Sequence, residues 1–178
     1  LAAGRASRKQ MHTLQGKLGW VSEVLCGGRA FVRTIINAVS ATRGQRGSTW
    51  ITIDEEMRHD FEWWLQHLTD LKEKGSRVWL DENDFTVLST KSDAAGRLGW
   101  GAVVGPDLIF SKWTAEEAAD TDMTYKELVP VLYIAENYGP QLANTILRVG
   151  LDNAAAVFDV LKFDSKTFKV RQILKRIA

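Results

Sequence analysis

A chain of 178 residues, 45% hydrophobic and 25% charged, has the composition of a globular protein with one or two cores, which excludes disorder as its main state. No run approaches the roughly 18 apolar residues of a membrane span, and the N-terminus lacks the apolar core of a signal peptide. We therefore expect an intracellular protein, in the cytoplasm or the nucleus, with no membrane partner. The single cysteine, Cys26, excludes an intrachain disulfide.

The formal net charge of +1 hides an uneven distribution of charge along the chain. The first 50 residues hold eight basic residues against one acid, Glu23, whereas acids outnumber bases in the rest. A second basic group lies near the end of the chain and contains Lys162, Lys166, Lys169, Arg171, Lys175 and Arg176. Such segregation favours binding to a polyanion, although a solvated basic face is the alternative. The residues that we predict to contact nucleic acid are Arg29, Arg33, Arg97, Lys166 and Lys169.

The N-terminal region has the apolar spacing of helices. Apolar residues recur every three or four positions from Gln10 to Leu25, which predicts a helix that ends at Gly27-Gly28. A second helix is predicted over 29–41, followed by a loop over 42–49. Thr52-Ile-Asp-Glu55 matches a capping box that opens a third helix, ending near Gly75.

Beyond residue 84 the pattern changes to that of strands. Phe85–Thr90, Leu98–Val104 and Leu108–Trp113 are rich in β-branched and aromatic residues and are separated by turns that contain glycine or proline. A helix stopped by Gly139-Pro140 follows, and then the apolar strand Ile146–Leu151. A strand, a crossover helix and a strand in one sheet favour a right-handed parallel unit. Two further helices are predicted, with Asn153 and Ser165 as their caps.

Three acids in this region, Asp93, Glu127 and Asp152, are the candidate site. If the fourth strand lies beside the first, Asp93 and Asp152 share one end of two parallel strands, and Glu127 projects from the first turn of the crossover helix. Converging carboxylates repel one another unless cations lie between them, and Mg²⁺ prefers such oxygen ligands. Two ions about 3.5–4 Å apart can promote phosphoryl transfer. The chemistry predicted first is therefore hydrolysis of a phosphodiester.

Each acid also has a structural alternative. Asp93 precedes a turn, where aspartate commonly makes local hydrogen bonds. Thr124-x-x-Glu127 matches a capping box, and Asp152 can cap the helix that follows it. Two glycines, Gly99 and Gly101, either leave room for a substrate backbone or serve a bulge or cross-strand packing.

Four motifs in order carry a resemblance to a known family. They are Ser92-Asp-Ala-Ala-Gly96, Leu98-Gly-Trp-Gly-Ala-Val103, Tyr125-Lys-Glu-Leu128 and Leu151-Asp-Asn-Ala154. Together they resemble the ribonuclease H domain attached to reverse transcriptases, and are most similar to that of DIRS-type tyrosine-recombinase retrotransposons. The resemblance implies a ribonuclease H-like α/β fold whose mixed sheet has the strand order 3-2-1-4, with the fifth strand missing or truncated.

The same resemblance implies a function. Asp93, Glu127 and Asp152 would bind two Mg²⁺ ions, for which Mn²⁺ can substitute, and the domain would cut the RNA strand of RNA–DNA hybrids during reverse transcription. The family's fourth metal-binding acid has no candidate here, which puts full activity of this fragment in doubt. Two alternatives therefore stay open: a catalytically inactive connection or nucleic-acid-binding module, and a transposase- or integrase-like nuclease of the same fold.

The resemblance also covers the first part of the chain. Leu14-Gln-Gly-Lys-Leu-Gly-Trp20 and Phe61-Glu-Trp-Trp-Leu65 are similar to the thumb and connection of the same retroelements. We therefore predict a helical thumb- or connection-like segment over 1–75 and a C-terminally incomplete ribonuclease H-like domain over 76–178. Both would belong to a reverse transcriptase polyprotein. No Tyr/Phe-x-Asp-Asp polymerase motif occurs, so polymerisation is not expected.

Overall fold

The computed structural model describes residues 4–75, 85–143 and 145–178. Apart from its last residue, the chain divides into two compact units, Leu1–Val78 and Trp79–Ile177. The predicted boundary between residues 75 and 76 adjoins the segment 76–84, which lies outside the described residues, so this boundary stays a prediction. Within the described ranges, no helix combines the length and the apolar character that a membrane crossing needs.

The first unit is mainly helical. It contains β1 (Arg5–Ser7), α1 (Arg8–Val21), a 3₁₀ turn (Gly28–Phe31), α2 (Arg33–Ala41), β2 (Trp50–Thr52) and α3 (Glu55–Lys74). The three predicted helical regions are confirmed, but the short antiparallel pair β1 and β2 was not predicted. Three-residue strands give too little alternation to be recognised in a sequence.

All three helix starts in this unit differ from the prediction. Helix α2 begins at Arg33, after the 3₁₀ turn Gly28–Phe31, rather than at residue 29, and α1 ends at Val21 rather than at Gly27. Helix α1 begins at Arg8 because the side chain of Ser7 caps it in a capping box with Gln10. Helix α3 is capped by Asp54, whose Oδ1 accepts from the Met57 N–H at 2.8 Å. The predicted capping box at Thr52 is therefore wrong, since Thr52 belongs to β2.

The second unit is a mixed α/β structure. Its elements are β3 (Thr86–Ala95), β4 (Gly99–Val104), β5 (Asp107–Lys112), α4 (Ala115–Ala119), α5 (Met123–Tyr138), a 3₁₀ turn (Gly139–Leu142), β6 (Thr145–Gly150), α6 (Ala154–Lys162) and α7 (Phe168–Ile177). The four strands form one sheet in the order β5-β4-β3-β6. Neighbours are antiparallel except for β3 and β6, which are parallel. The predicted strand order is confirmed; the short helix α4 was not predicted.

One face of this sheet packs against α5. Side chains at alternate positions of β4, those of Trp100, Ala102 and Val104, are buried on this face. Helix α5 contributes Leu128 and Ile134, both fully buried. α7 packs against α5 in turn. The apolar stripe of the crossover helix thus fixes its position over β3 and β4.

The two glycines of β4 have different roles. A Cβ on Gly99 would lie 2.1 Å from the Ser111 carbonyl oxygen, so close packing of β4 on β5 requires glycine there. A Cβ on Gly101 would meet its nearest atom, the Ile109 carbonyl oxygen, at an ordinary 3.7 Å. Cross-strand packing therefore explains Gly99 but not Gly101.

Candidate metal centre

The register of the sheet brings two of the three predicted acids to one place. Lys91 of β3 is opposite Gly150 of β6 in the last pair of the parallel ladder. Asp93 and Asp152 each lie two residues beyond that pair, at the same end of neighbouring strands, as predicted. Asp93 lies within β3 rather than after it, because β3 continues to pair with β4 as far as Ala95.

Glu127 completes the cluster from the other side. One carboxylate oxygen from each of Asp93, Glu127 and Asp152 lies within 4.8 Å of the others. Asp93 and Asp152 are exposed, whereas Glu127 is only 3% exposed. Its Oε2 atom is buried and has no hydrogen-bond partner. A buried carboxylate oxygen without a donor is costly unless a cation or another ligand reaches it.

The start of α5 explains the burial of Glu127. The helix begins at Met123 and is capped by Asp122, whose Oδ1 accepts from the Tyr125 N–H at 3.1 Å. Glu127 is thus the fifth helical residue, one turn deeper than predicted, and faces the sheet. The capping-box alternative is wrong because Thr124 is inside the helix. The following helix, α6, is capped by Asn153, which accepts from the Ala156 N–H at 3.0 Å.

Burial and charge act together on Glu127. Desolvation, and after it the negative charges of Asp152 and Asp93, together raise the pKa of Glu127 to about 7 against the opposing hydrogen bond from the Ala94 N–H. Near neutral pH the metal-free site therefore holds a proton at about half occupancy on Glu127. A divalent cation would displace that proton and neutralise the repulsion.

Two buried side chains that were not predicted hold the turn after Asp93. The Lys126 side chain, 1% exposed, donates through Nζ to the Gly96 carbonyl oxygen and, at 3.4 Å, to that of Ala118. The Trp113 indole N–H donates to the Ala95 carbonyl oxygen at 2.6 Å. The Lys126 ammonium also lies 5.7 Å from the centre of the Trp113 ring.

The contacts of Lys126 and Trp113, which we call the clamp, connect two of the candidate metal ligands, Asp93 and Glu127. Lys126 precedes Glu127 on α5, and the two carbonyls that the clamp holds follow Asp93 by two and three residues. It therefore fixes the spacing between the strand that carries Asp93 and the helix that carries Glu127. The only signal for this clamp in the sequence is that Lys126 adjoins a predicted ligand. That position alone does not show whether a lysine is buried or solvated.

The predicted nucleic-acid contacts belong to both units of the chain. Arg97 lies in the turn between β3 and β4 and lines the cleft that contains Asp93 and Asp152. Lys166 is exposed in the loop before α7, and Lys169 pairs with Asp120. In the first unit, Arg29 pairs with Glu23, and Arg33 is the half-buried first residue of α2. Nucleic-acid binding by these five residues stays a prediction.

Comparison with known proteins adds no family assignment. No protein-family model matches the chain, and no curated protein sequence matches it either.

Proposed function

We propose that the second unit is the ribonuclease H domain of a retroelement reverse transcriptase, and that it cuts the RNA strand of RNA–DNA hybrids. The observation that carries the proposal is the cluster of Asp93, Glu127 and Asp152, whose carboxylate oxygens lie within 4.8 Å of one another. Three acids separated by 34 and 25 positions meet at one point of the sheet. They are the same three that the family resemblance indicates.

The topology supports this reading. The sheet order β5-β4-β3-β6, with a parallel β3 and β6 joined through α5, is the arrangement that a ribonuclease H-like layout requires. In this layout the first strand, the crossover helix and the end of the fourth strand each carry one acid. Segment 1–75 would then be the thumb or connection that precedes the nuclease in a larger polyprotein.

The residues at the cluster suit hard divalent cations. Asp93, Glu127 and Asp152 offer only oxygen ligands, which favours Mg²⁺, with Mn²⁺ able to replace it. The unpartnered Oε2 of Glu127 is an atom that such an ion would satisfy. A pair of bound ions would supply activation of the attacking water and stabilisation of the leaving oxygen.

The chain's own residues supply position and charge. Asp93 is held by the ladder with β4, where it is opposite Gly101, and Glu127 is held by the buried face of α5. Asp152 lies in the short link between β6 and the cap of α6. Because Asp93 and Asp152 are exposed, an extended polymer can reach the cluster from the solvent side.

The experiment is a cleavage assay that separates this proposal from its two alternatives. The chain is incubated with Mg²⁺ or with a chelator and three substrates: an RNA–DNA hybrid, duplex DNA and duplex RNA, each labelled on both strands. We expect cleavage of the RNA strand of the hybrid alone, and only with the metal. Cleavage of DNA ends would favour the transposase-like nuclease instead.

Matched variants identify the site. Asp152→Asn should lower hybrid cleavage by about 10³-fold or more, because it removes a charged metal ligand without changing side-chain size. Asp120→Asn, which neutralises an acid outside the cluster, should leave the rate within about threefold. Hybrid binding without cleavage, by this chain and by one extended at its C-terminus, would favour the inactive module.

A further inference from the structure

Helix α5 contains a proline in its interior, one turn after the candidate metal ligand Glu127. Pro130 is the eighth of the 16 residues of α5, and the helix continues through it to Tyr138. The proline is fully buried. Proline is the least favourable residue in a helix interior, because it has no N–H and its ring clashes with the carbonyl group four residues earlier. The sequence therefore opposes the local structure at this position.

The effects of this proline fall on the turn that carries Glu127. The carbonyl group four residues before Pro130 is that of Lys126, and it receives no hydrogen bond from position 130 because proline has no donor there. Proline also disfavours the helical conformation of the residue that precedes it, which is Val129. The helical geometry is thus weakened on both sides of Glu127.

Glu127 and Pro130 lie on the same face of α5. Residues three apart in a helix are neighbours on its surface, and both of these side chains are buried. This face meets β3, since the Ala94 N–H donates to the Glu127 carboxylate and Val129 packs against the core cluster that contains Ala94. A change in the geometry of this turn would therefore move the Glu127 carboxylate relative to Asp93, the residue before Ala94.

Two adjacent side chains of the turn make contacts at the end of β3 at the same time. Lys126 donates through Nζ to the Gly96 carbonyl oxygen and, at 3.4 Å, to that of Ala118. Glu127 accepts from the Ala94 N–H. Adjacent residues of a regular helix point about 100° apart. A turn with weakened helical bonding can adapt to both contacts more readily than a regular turn.

We propose that Pro130 is a positioning residue for the metal centre: by weakening the helical bonding of residues 126–129, it lets this turn place the Glu127 carboxylate beside Asp93 and Asp152. Local rules of sequence and structure are broken most often at functional sites, where another gain offsets the cost. Pro130 acts through Glu127, because a proline side chain has no donor atom for a cation. The inference rests on the proposed function, which makes the three acids a metal centre.

Metal affinity and stability, measured on the same variants, test this role. Pro130→Ala restores an N–H opposite the Lys126 carbonyl, and Pro130→Val does so with a side chain of similar volume. Both should bind Mn²⁺ about 10- to 100-fold more weakly in calorimetric titration, the usual effect of losing a group that orients a ligand. Their urea midpoints should equal or exceed that of the parent protein, because a helix prefers either residue to proline.

Val131→Ala is the matched control. It removes buried carbon atoms from the residue next to Pro130 and leaves every backbone donor in place. Its urea midpoint should fall because of the cavity, whereas its affinity for Mn²⁺ should stay within about twofold of the parent value. Hydrogen exchange measured by NMR should show protection of the amide introduced at position 130 in both proline variants.

The outcomes separate this inference from the proposed function. If the parent binds Mn²⁺ and both proline variants bind it equally well, the positioning role is wrong, although the metal centre stands. The role is also wrong if both proline variants fail to fold, or if their midpoints fall while their affinities are unchanged, as for a residue that only fills space. Absence of Mn²⁺ binding by the parent protein would overturn the metal centre and this inference with it.

Discussion

Two groups of carboxylates in the second unit differ in how their charge is compensated. Asp120 pairs with Lys169, and Glu136 accepts from Arg176 at 2.6 Å and 2.9 Å, so these acids connect α4 and α5 to α7. Among the described residues, no ion pair reaches Asp93, Glu127 or Asp152, although they are close together. The neighbouring cation, Lys126, is directed to backbone carbonyls instead.

The pKa values of Asp120 and Glu127 are shifted in opposite directions. The hydrogen bond from Lys169, with one from the Asp122 N–H, holds the pKa of Asp120 below its usual value. Burial and two neighbouring acids raise the pKa of Glu127 to about 7. Basic side chains of the fold compensate the negative charges of the first group. In the second group only a proton or a metal would compensate them. This contrast separates acids that are paired within the fold from acids that could hold a metal ion.

The largest effect concerns the dependence of metal affinity on pH. Below pH 7 a proton on Glu127 competes with the metal, so the affinity for Mn²⁺ should approach a tenfold fall per pH unit and decrease by about 50-fold from pH 7, where half of the sites already hold the proton, to pH 5. Above pH 7 the affinity should level off. Calorimetric titration at four pH values measures it.

The control for this effect is Glu127→Gln. The variant should bind Mn²⁺ more weakly and lose most of the pH dependence between pH 5 and pH 7, because its side chain does not titrate. An unchanged affinity of the parent protein over this range would show that Glu127 is not a ligand.

The next effect tests the clamp. Lys126→Met keeps a similar length but leaves the carbonyls of Gly96 and Ala118 without their donor, so we expect destabilisation by about 1–3 kcal/mol in urea unfolding. Lys162→Met, on the exposed side of α6, should cost less than about 0.5 kcal/mol. Mn²⁺ affinity should also fall in the first variant only, since the clamp spaces Asp93 from Glu127. Equal effects of both substitutions would mean that the clamp contributes nothing.

The smallest expected effect is a change in the free energy of unfolding, and its sign differs between the two groups of acids. A carboxyl whose pKa is about 4.5 unfolded and about 7 folded contributes stability that is present below pH 4.5 and is lost as the pH rises through 7. In metal-free buffer at pH 8, Glu127→Gln should therefore raise the free energy of unfolding by about 1–2 kcal/mol, a value reduced by the screening that water provides at the exposed Asp93 and Asp152.

Neutralising a compensated acid should do the reverse. Asp120→Asn removes a favourable ion pair, so it should lower the stability slightly, with the loss disappearing as the pH falls below the range where aspartate ionises. Urea unfolding at pH 5 and pH 8 compares the two variants. Destabilisation by Glu127→Gln at pH 8 without metal would contradict the idea that the cluster is strained by repulsion.

Local patterns predicted the strands and the crossover helix, and these favour a parallel unit. The order of the strands came from the family resemblance, and the meeting of Asp93 with Asp152 was predicted on the condition that the fourth strand lies beside the first. The helix starts were predicted less well. Asp54 and Asp122 cap α3 and α5, whereas the Thr-x-x-Glu patterns that begin at Thr52 and Thr124 do not. Because the cap of α5 is Asp122, Glu127 lies beyond the first turn of the helix, where it is buried.

Other features depend on tertiary contacts, which local sequence patterns do not predict. The burial of Lys126 results from carbonyls that lie 30 and 8 positions away. The requirement for Gly99 results from the approach of Ser111 on the next strand, and the ion pair of Lys169 with Asp120 joins residues 49 positions apart. The sequence therefore predicts the charge of a basic residue but not whether that residue is already bound to an acid or a carbonyl group of the folded chain.

Anomalous diffraction from crystals of the chain soaked in Mn²⁺ tests the metal centre most directly. We expect an anomalous peak within coordination distance of the carboxylates of Asp93, Glu127 and Asp152, and we expect this peak to disappear in the Asp152→Asn variant. A structure in which Mn²⁺ at millimolar concentration leaves the three carboxylates unliganded, or binds only elsewhere, would contradict the central claim.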